Sequence, residues 1–81
     1  MDIKLSKHAK DILTERSIPE EWVWQAVHNA DFQSKGKDEN IHYFKIIDKF
    51  ERRVLHVVVN PHIKPQKVVT VFFDRRERTK K

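Results

Sequence analysis

The 81-residue sequence predicts an α+β domain in which an N-terminal helical hairpin packs on one face of a three- to four-stranded antiparallel sheet. Three observations carry that expectation. Apolar residues recur at i, i+3 and i+4 as far as Ala30. From Ile41 onward the period changes to two, in runs rich in β-branched and aromatic residues. A chain this short buries only about 60 to 65% of the surface its unfolded form exposes, enough for one thin core and one domain.

Ser6 is placed to cap a helix over Lys7 to Arg16, whose buried stripe is Ala9, Ile12 and Leu13, with His8 beside it. Pro19 suits the first turn of a second helix, Glu20 and Glu21 favour its positive dipole end, and Val23, Ala26, Val27 and Ala30 form its stripe. Trp22 and Trp24 flank that stripe. From Asp31 to Asn40 the chain is polar and holds the sole glycine, Gly36, which reads as a loop. Three strands follow, Ile41 to Asp48, Arg52 to Asn60 and Gln66 to Asp74. The connectors "DKFE" and "NPHIKP" are short enough for an antiparallel meander. The domain is expected over 1–74, with 75–81, "RRERTKK", a poorly ordered basic tail.

Alternation gives the strands two faces. Tyr43, Ile47, Leu55, Val57, Val59, Val69, Val71 and Phe73 are expected to pack under the helices. The opposite face collects His42, Phe44, Ile46, Arg52, Val54, His56, Val58, Val68, Thr70 and Phe72, apolar with polar insertions. Symmetric hairpins place His56 opposite Thr70 and near His42 or Phe44. His56 is the only ionisable residue in the stretch Val54 to Val59. It reads either as a hydrogen-bonded structural histidine or as a proton-exchanging group on a binding surface. On the second reading Phe44 and Phe72 are stacking platforms and His42, Thr70 and Arg52 contact the ligand, Arg52 as a phosphate contact.

Seventeen Lys and Arg against twelve Asp and Glu give a net charge of +5, which favours a polyanion such as RNA or an acidic protein partner. There is no cysteine, and no apolar run reaches the length of a membrane span or a secretory core, so a soluble cytoplasmic protein without a membrane association is expected. The five histidines form no His-Glu-x-x-His and no i, i+4 pair, which argues against a metal site. A single glycine rules out a Gly-rich phosphate loop, and no nucleophile elbow is present, so no cofactor is implied.

The stretch "SKHAKDILTERSIPEEWVWQAVHNAD" resembles the N-terminal signature of the bacterial domain-of-unknown-function family numbered four-two-five-eight, Ser-x-His-Ala-x-x-Arg-x-x-x-Arg-Gly-Ile-Ser-x-x-x-Val. Ser6, His8, Ala9, Arg16, Ile18 and Val23 match it, and "KVVTVFF" resembles the family's last strand, with Thr70 in place of its threonine. Ile12, Ser17 and Pro19 depart from it. The family looks related to the barnase, colicin and RelE-like ribonuclease toxins. That resemblance implies a toxin-like, metal-independent endoribonuclease that cleaves RNA by acid–base transesterification, in some relatives on the ribosome. It also implies an acidic antitoxin or a second copy of the chain as partner. His56, His8 and Arg16 are then the catalytic candidates. His8 and Arg16 also have a structural reading, His8 bonding the sheet or loop and Arg16 the carbonyls at the helix end. The alternative function is a non-catalytic protein-interaction or RNA-binding module of the same fold.

Overall fold

Two helices and five strands follow one another as β1 (Ile3–Leu5), α1 (Lys7–Arg16), α2 (Glu20–His28), β2 (Phe32–Lys35), β3 (Ile41–Ile47), a 3-10 turn (Asp48–Phe50), β4 (Arg53–Asn60) and β5 (Gln66–Asp74). The computed structural model describes residues 3–74, and the expected tail, 75–81, lies outside the described residues. The fold is α+β, as expected, but the sheet has five strands in the order β1-β5-β4-β3-β2 and is mixed, because β1 runs parallel to β5. The two unexpected strands are its edges. β1 is three residues long, too short for alternation to register, and β2 is exposed at all four positions. β2 is a strand because β3 offers it an antiparallel partner, pairing Phe32 with Phe44 and Lys35 with Ile41.

Both helices pack on one face of the sheet. Ala9 and Leu13 of α1 and Val23 and Ala26 of α2 meet Ile47, Leu55, Val57, Val59, Val68 and Val71 in one core cluster. The Ser6 hydroxyl accepts from the Ala9 N–H at 3.0 Å, the cap expected for α1. Between β4 and β5 the register shifts at Val58/Val59, so that Val58 faces Thr70 while Val59 faces Val68. The extra residue is Val69, which turns outward at 37% exposure while Val68 is fully buried. This reverses the expected faces of those two valines. The same register sets Phe72, not Thr70, opposite His56.

The end of α1 is closed by backbone geometry. The Ile18 N–H reaches the Leu13 carbonyl at 2.9 Å and the Ser17 N–H reaches that of Thr14 at 3.4 Å, while Leu13 and Ile18 are both buried. This six-to-one closure needs a left-handed residue between them, and Ser17 supplies it with φ 55° and ψ 43°. A serine there bears a Cβ clash that glycine lacks. Ser17→Gly is therefore expected to stabilise the fold by about 1 kcal/mol, raising the melting temperature by roughly 4 to 8 °C for a domain of this size, and Ser17→Val to lower it. Thermal unfolding of both variants checks this.

Candidate functional site

The face of the sheet away from the helices carries one transverse row of rings, Phe32, Phe44, His56 and Phe72, one from each of β2 to β5. The pairings Phe32 with Phe44, Phe44 with His56, and His56 with Phe72 set them side by side. Ring centroids are 4.7, 4.3 and 4.5 Å apart along it, and the Phe32–Phe44 pair is nearly parallel at 15°. This row keeps Phe44 and His56 each at 8% exposure with no helix above them. An imidazole placed there loses most of its water, so its two nitrogens need partners.

Those partners lie on the diagonal of the row. His42 Nδ1 is 2.7 Å from His56 Nε2, and His56 Nδ1 is 3.1 Å from Asp74 Oδ2. At the outer end His42 Nε2 is 3.3 Å from Asp38 Oδ1. His42, His56 and Asp74 sit on three successive strands, each offset by two residues from the direct pairing, and such diagonal neighbours are within reach of side chains this long. Exposure rises outward: the side chains of His56 and Asp74 are 10% and 15% exposed, that of His42 19% and that of Asp38 51%.

One assignment of the protons satisfies both inner contacts with neutral rings. A carboxylate accepts only, so His56 donates from Nδ1 to Asp74 and leaves Nε2 as an acceptor. His42 then donates from Nδ1 to that acceptor. Its own Nε2 carries a lone pair directed at the outer end, where a proton can be taken up. The contact to Asp38 closes as a hydrogen bond when Nε2 is protonated, since three donors are needed and two neutral imidazoles supply two. The relay therefore holds its unprotonated form through Asp74 and its protonated form through both carboxylates.

The 36–40 loop holds the outer end. The Asn40 N–H donates to Asp38 Oδ1 at 3.0 Å, and this bond, followed by His42, holds the Asp38 carboxyl below its ordinary 3.8. Because the folded value is the lower one, the stabilisation is complete above 3.8 and is lost as the pH falls through the lowered value. Gly36 lies against the ring itself. A Cβ built on it would stand 2.5 Å from His42 Nε2 and 2.7 Å from Asp38 Oδ1, so the requirement for glycine is close approach, with no positive φ involved.

The expected site residues divide into groups. His42, His56, Phe44 and Phe72 come together in the relay and its ring row. Arg16 and Thr70 meet elsewhere, in a groove beyond the β5 edge that also includes Phe72. His8 is exposed on α1, on the helix side of the sheet, and the core lies between it and His56, so the two share no cleft. Among the described residues the His8 side chain makes no hydrogen bond or ion pair, so its expected bond to sheet or loop is not formed. Arg52 is not on the β4 face. It precedes the strand at φ 55° and pairs with Asp48 at 2.8 Å, because the 48–52 segment turns through left-handed residues rather than extending β4. Asp38, Asp74 and Gly36 were not foreseen as site residues. Asp74 as the last residue of an alternating run, and a sole glycine six positions before His42, were the available signals. No group of three His, Asp or Glu side chains among the described residues is arranged to hold a metal ion.

Gly36→Ala is expected to force the His42 ring away from His56, so that a crystal structure of the variant shows the two nitrogens beyond hydrogen-bond distance. Amide exchange protection along β4 should stay as in the parent, since no core residue touches position 36.

No helix among the described residues is long and apolar enough to cross a membrane. No curated protein and no solved structure matches the chain. The model of the family described as a domain of unknown function, DUF4258, matches residues 5–73, from β1 to the penultimate residue of β5, and the chain belongs to that family.

Proposed function

We propose that the protein is an endoribonuclease that cleaves RNA by acid–base transesterification, with His42 as the group that exchanges the proton. The observation that carries this reading is the relay Asp38–His42–His56–Asp74, whose inner carboxylate sets both imidazoles so that a basic nitrogen ends the chain. In this reaction the ribose 2′-hydroxyl takes the place of Asp38 at His42 Nε2 and gives up its proton there. The 2′-oxygen bonds to phosphorus, the bond from phosphorus to the 5′-oxygen breaks, and that oxygen takes a proton from solvent, leaving a 2′,3′-cyclic phosphate. His56 does not reach the substrate on this reading; it positions His42 and passes charge inward to Asp74. Phe72, 39% exposed, offers a ring for a base to stack on, and a net charge of +5 draws the polyanion in.

The order of two helices before an antiparallel meander is shared with the barnase and RelE-like toxins, which supports the reading by analogy of order only. A toxin of that kind acts in the cytoplasm and is held in check by an acidic partner, which the positive charge suits.

Cleavage of RNA in EDTA tests the proposal. His42→Ala is expected to reduce the rate by about 10² to 10⁴-fold and to lower the melting temperature as well, because the buried Nε2 of His56 loses its partner. His56→Ala should lower both rate and stability, the latter by about 1 to 3 kcal/mol, because His42 and Asp74 lose a buried partner. RNA left intact at high protein concentration would overturn the assignment.

A further inference from the structure

β1 accompanies β5 only as far as Val68, and past that point no strand among the described residues lies on that edge of β5, β4 pairing with the other. The gap is a groove of about 410 Å³ between the end of α1 and the free β5 edge. Its charged residues are Arg16, Glu15 and Arg53, and Thr70, Phe72 and Phe50 complete the working surface. Arg16 makes no ion pair among the described residues. Arg53 lies over the Phe50 ring, 5.3 Å from its centroid, and among the described residues its one ion pair is an exposed 3.8 Å contact to Glu51. Such a contact contributes little and does not remove the guanidinium from use. Phe50 and Phe72 are each 39% exposed. A cavity of this size with two guanidinium groups, a hydroxyl and two open rings has the composition of a single-stranded nucleic-acid subsite.

Phe72 joins this groove to the relay. Its ring is 4.5 Å from that of His56 on one side and borders the groove on the other. His42 lies level with Thr70, two strand spacings or roughly 10 Å across the sheet, and Phe72 lies two residues further along β5. Phe72 borders both surfaces, and the two arginines lie round the β5 edge from it on the helix side, Arg16 at the end of α1 and Arg53 paired with the core residue Ile47.

We propose that the groove is a second subsite for the RNA strand, in which Arg16 and Arg53 bind a backbone phosphate a short way along from the bond that His42 acts on. The proposal rests on the ribonuclease reading for its substrate and assigns Arg16 to binding rather than to the reacting atoms. Glu15 opposes the anion and limits its affinity.

The probe is a short 2′-O-methyl oligouridylate, which cannot be cleaved, with binding followed by fluorescence anisotropy over a range of salt concentrations. Arg16→Glu is expected to weaken binding about tenfold and to reduce the slope of log K against log salt by about 1, with Arg53→Gln acting in the same direction. Glu15→Gln should tighten binding a few-fold. Unchanged affinity and salt slope in both arginine variants would overturn the proposal, as would failure of the parent protein to bind the probe. Protection of the amides of residues 70–73 by an acidic peptide that displaces the probe would also overturn it, by assigning the free strand edge to an extended protein segment. If the arginine variants lose binding as expected while the parent leaves unmodified RNA uncut, the subsite stands and the ribonuclease reading fails.

Discussion

The contact between His42 Nδ1 and His56 Nε2, 2.7 Å across two strands, is the constraint on which the site depends. Two imidazoles this close must share one hydrogen, and which ring supplies it is decided at the buried end, where Asp74 accepts from His56. The choice then runs outward. It leaves His42 with its basic nitrogen at the loop, beside the only carboxylate of the relay with free access to water. Burial makes the arrangement strict, because a mispaired nitrogen at His56 would lack water as a substitute.

The fold supplies that contact through register rather than through any local motif. His42, His56 and Asp74 belong to three strands whose alignment is fixed by the valines under the helices, Val57 facing Tyr43 on one side and Val71 on the other. A shift of one residue on any strand would send a relay member to the helix side. The bulge at Val69 lies three residues from Phe72 and directly follows Val68, the last β5 residue paired with β1. The same few residues thus place Phe72 over His56 and open the groove at the sheet edge.

How much of this was legible in the sequence follows from what each feature depends on. α1 was readable to the residue because Ser6 and the Ala9, Leu13 stripe are local signals. The three long strands were readable from alternation. β1 and β2 were not, since three residues and four exposed residues carry no period, and their pairing is supplied by partners distant in sequence. His56 stood out as a lone ionisable residue in an apolar run, and His42 fell on its face by parity. Their contact could not be read, because it depends on loop lengths that set register, and the bulge moved Val69 out of the core and Phe72 against His56. Ser17 departs from the signature the sequence resembles, and its left-handed backbone is a conformation that glycine adopts without a Cβ clash.

Imidazole nitrogen NMR of the wild-type protein at neutral pH tests the relay most directly. The expected spectrum has a proton on Nδ1 of both rings, a hydrogen-bonded acceptor at His56 Nε2, and a scalar coupling between His42 Nδ1 and His56 Nε2 through the shared hydrogen. A His42 ring that carries its proton on Nε2 alone, with no coupling to His56, would contradict it.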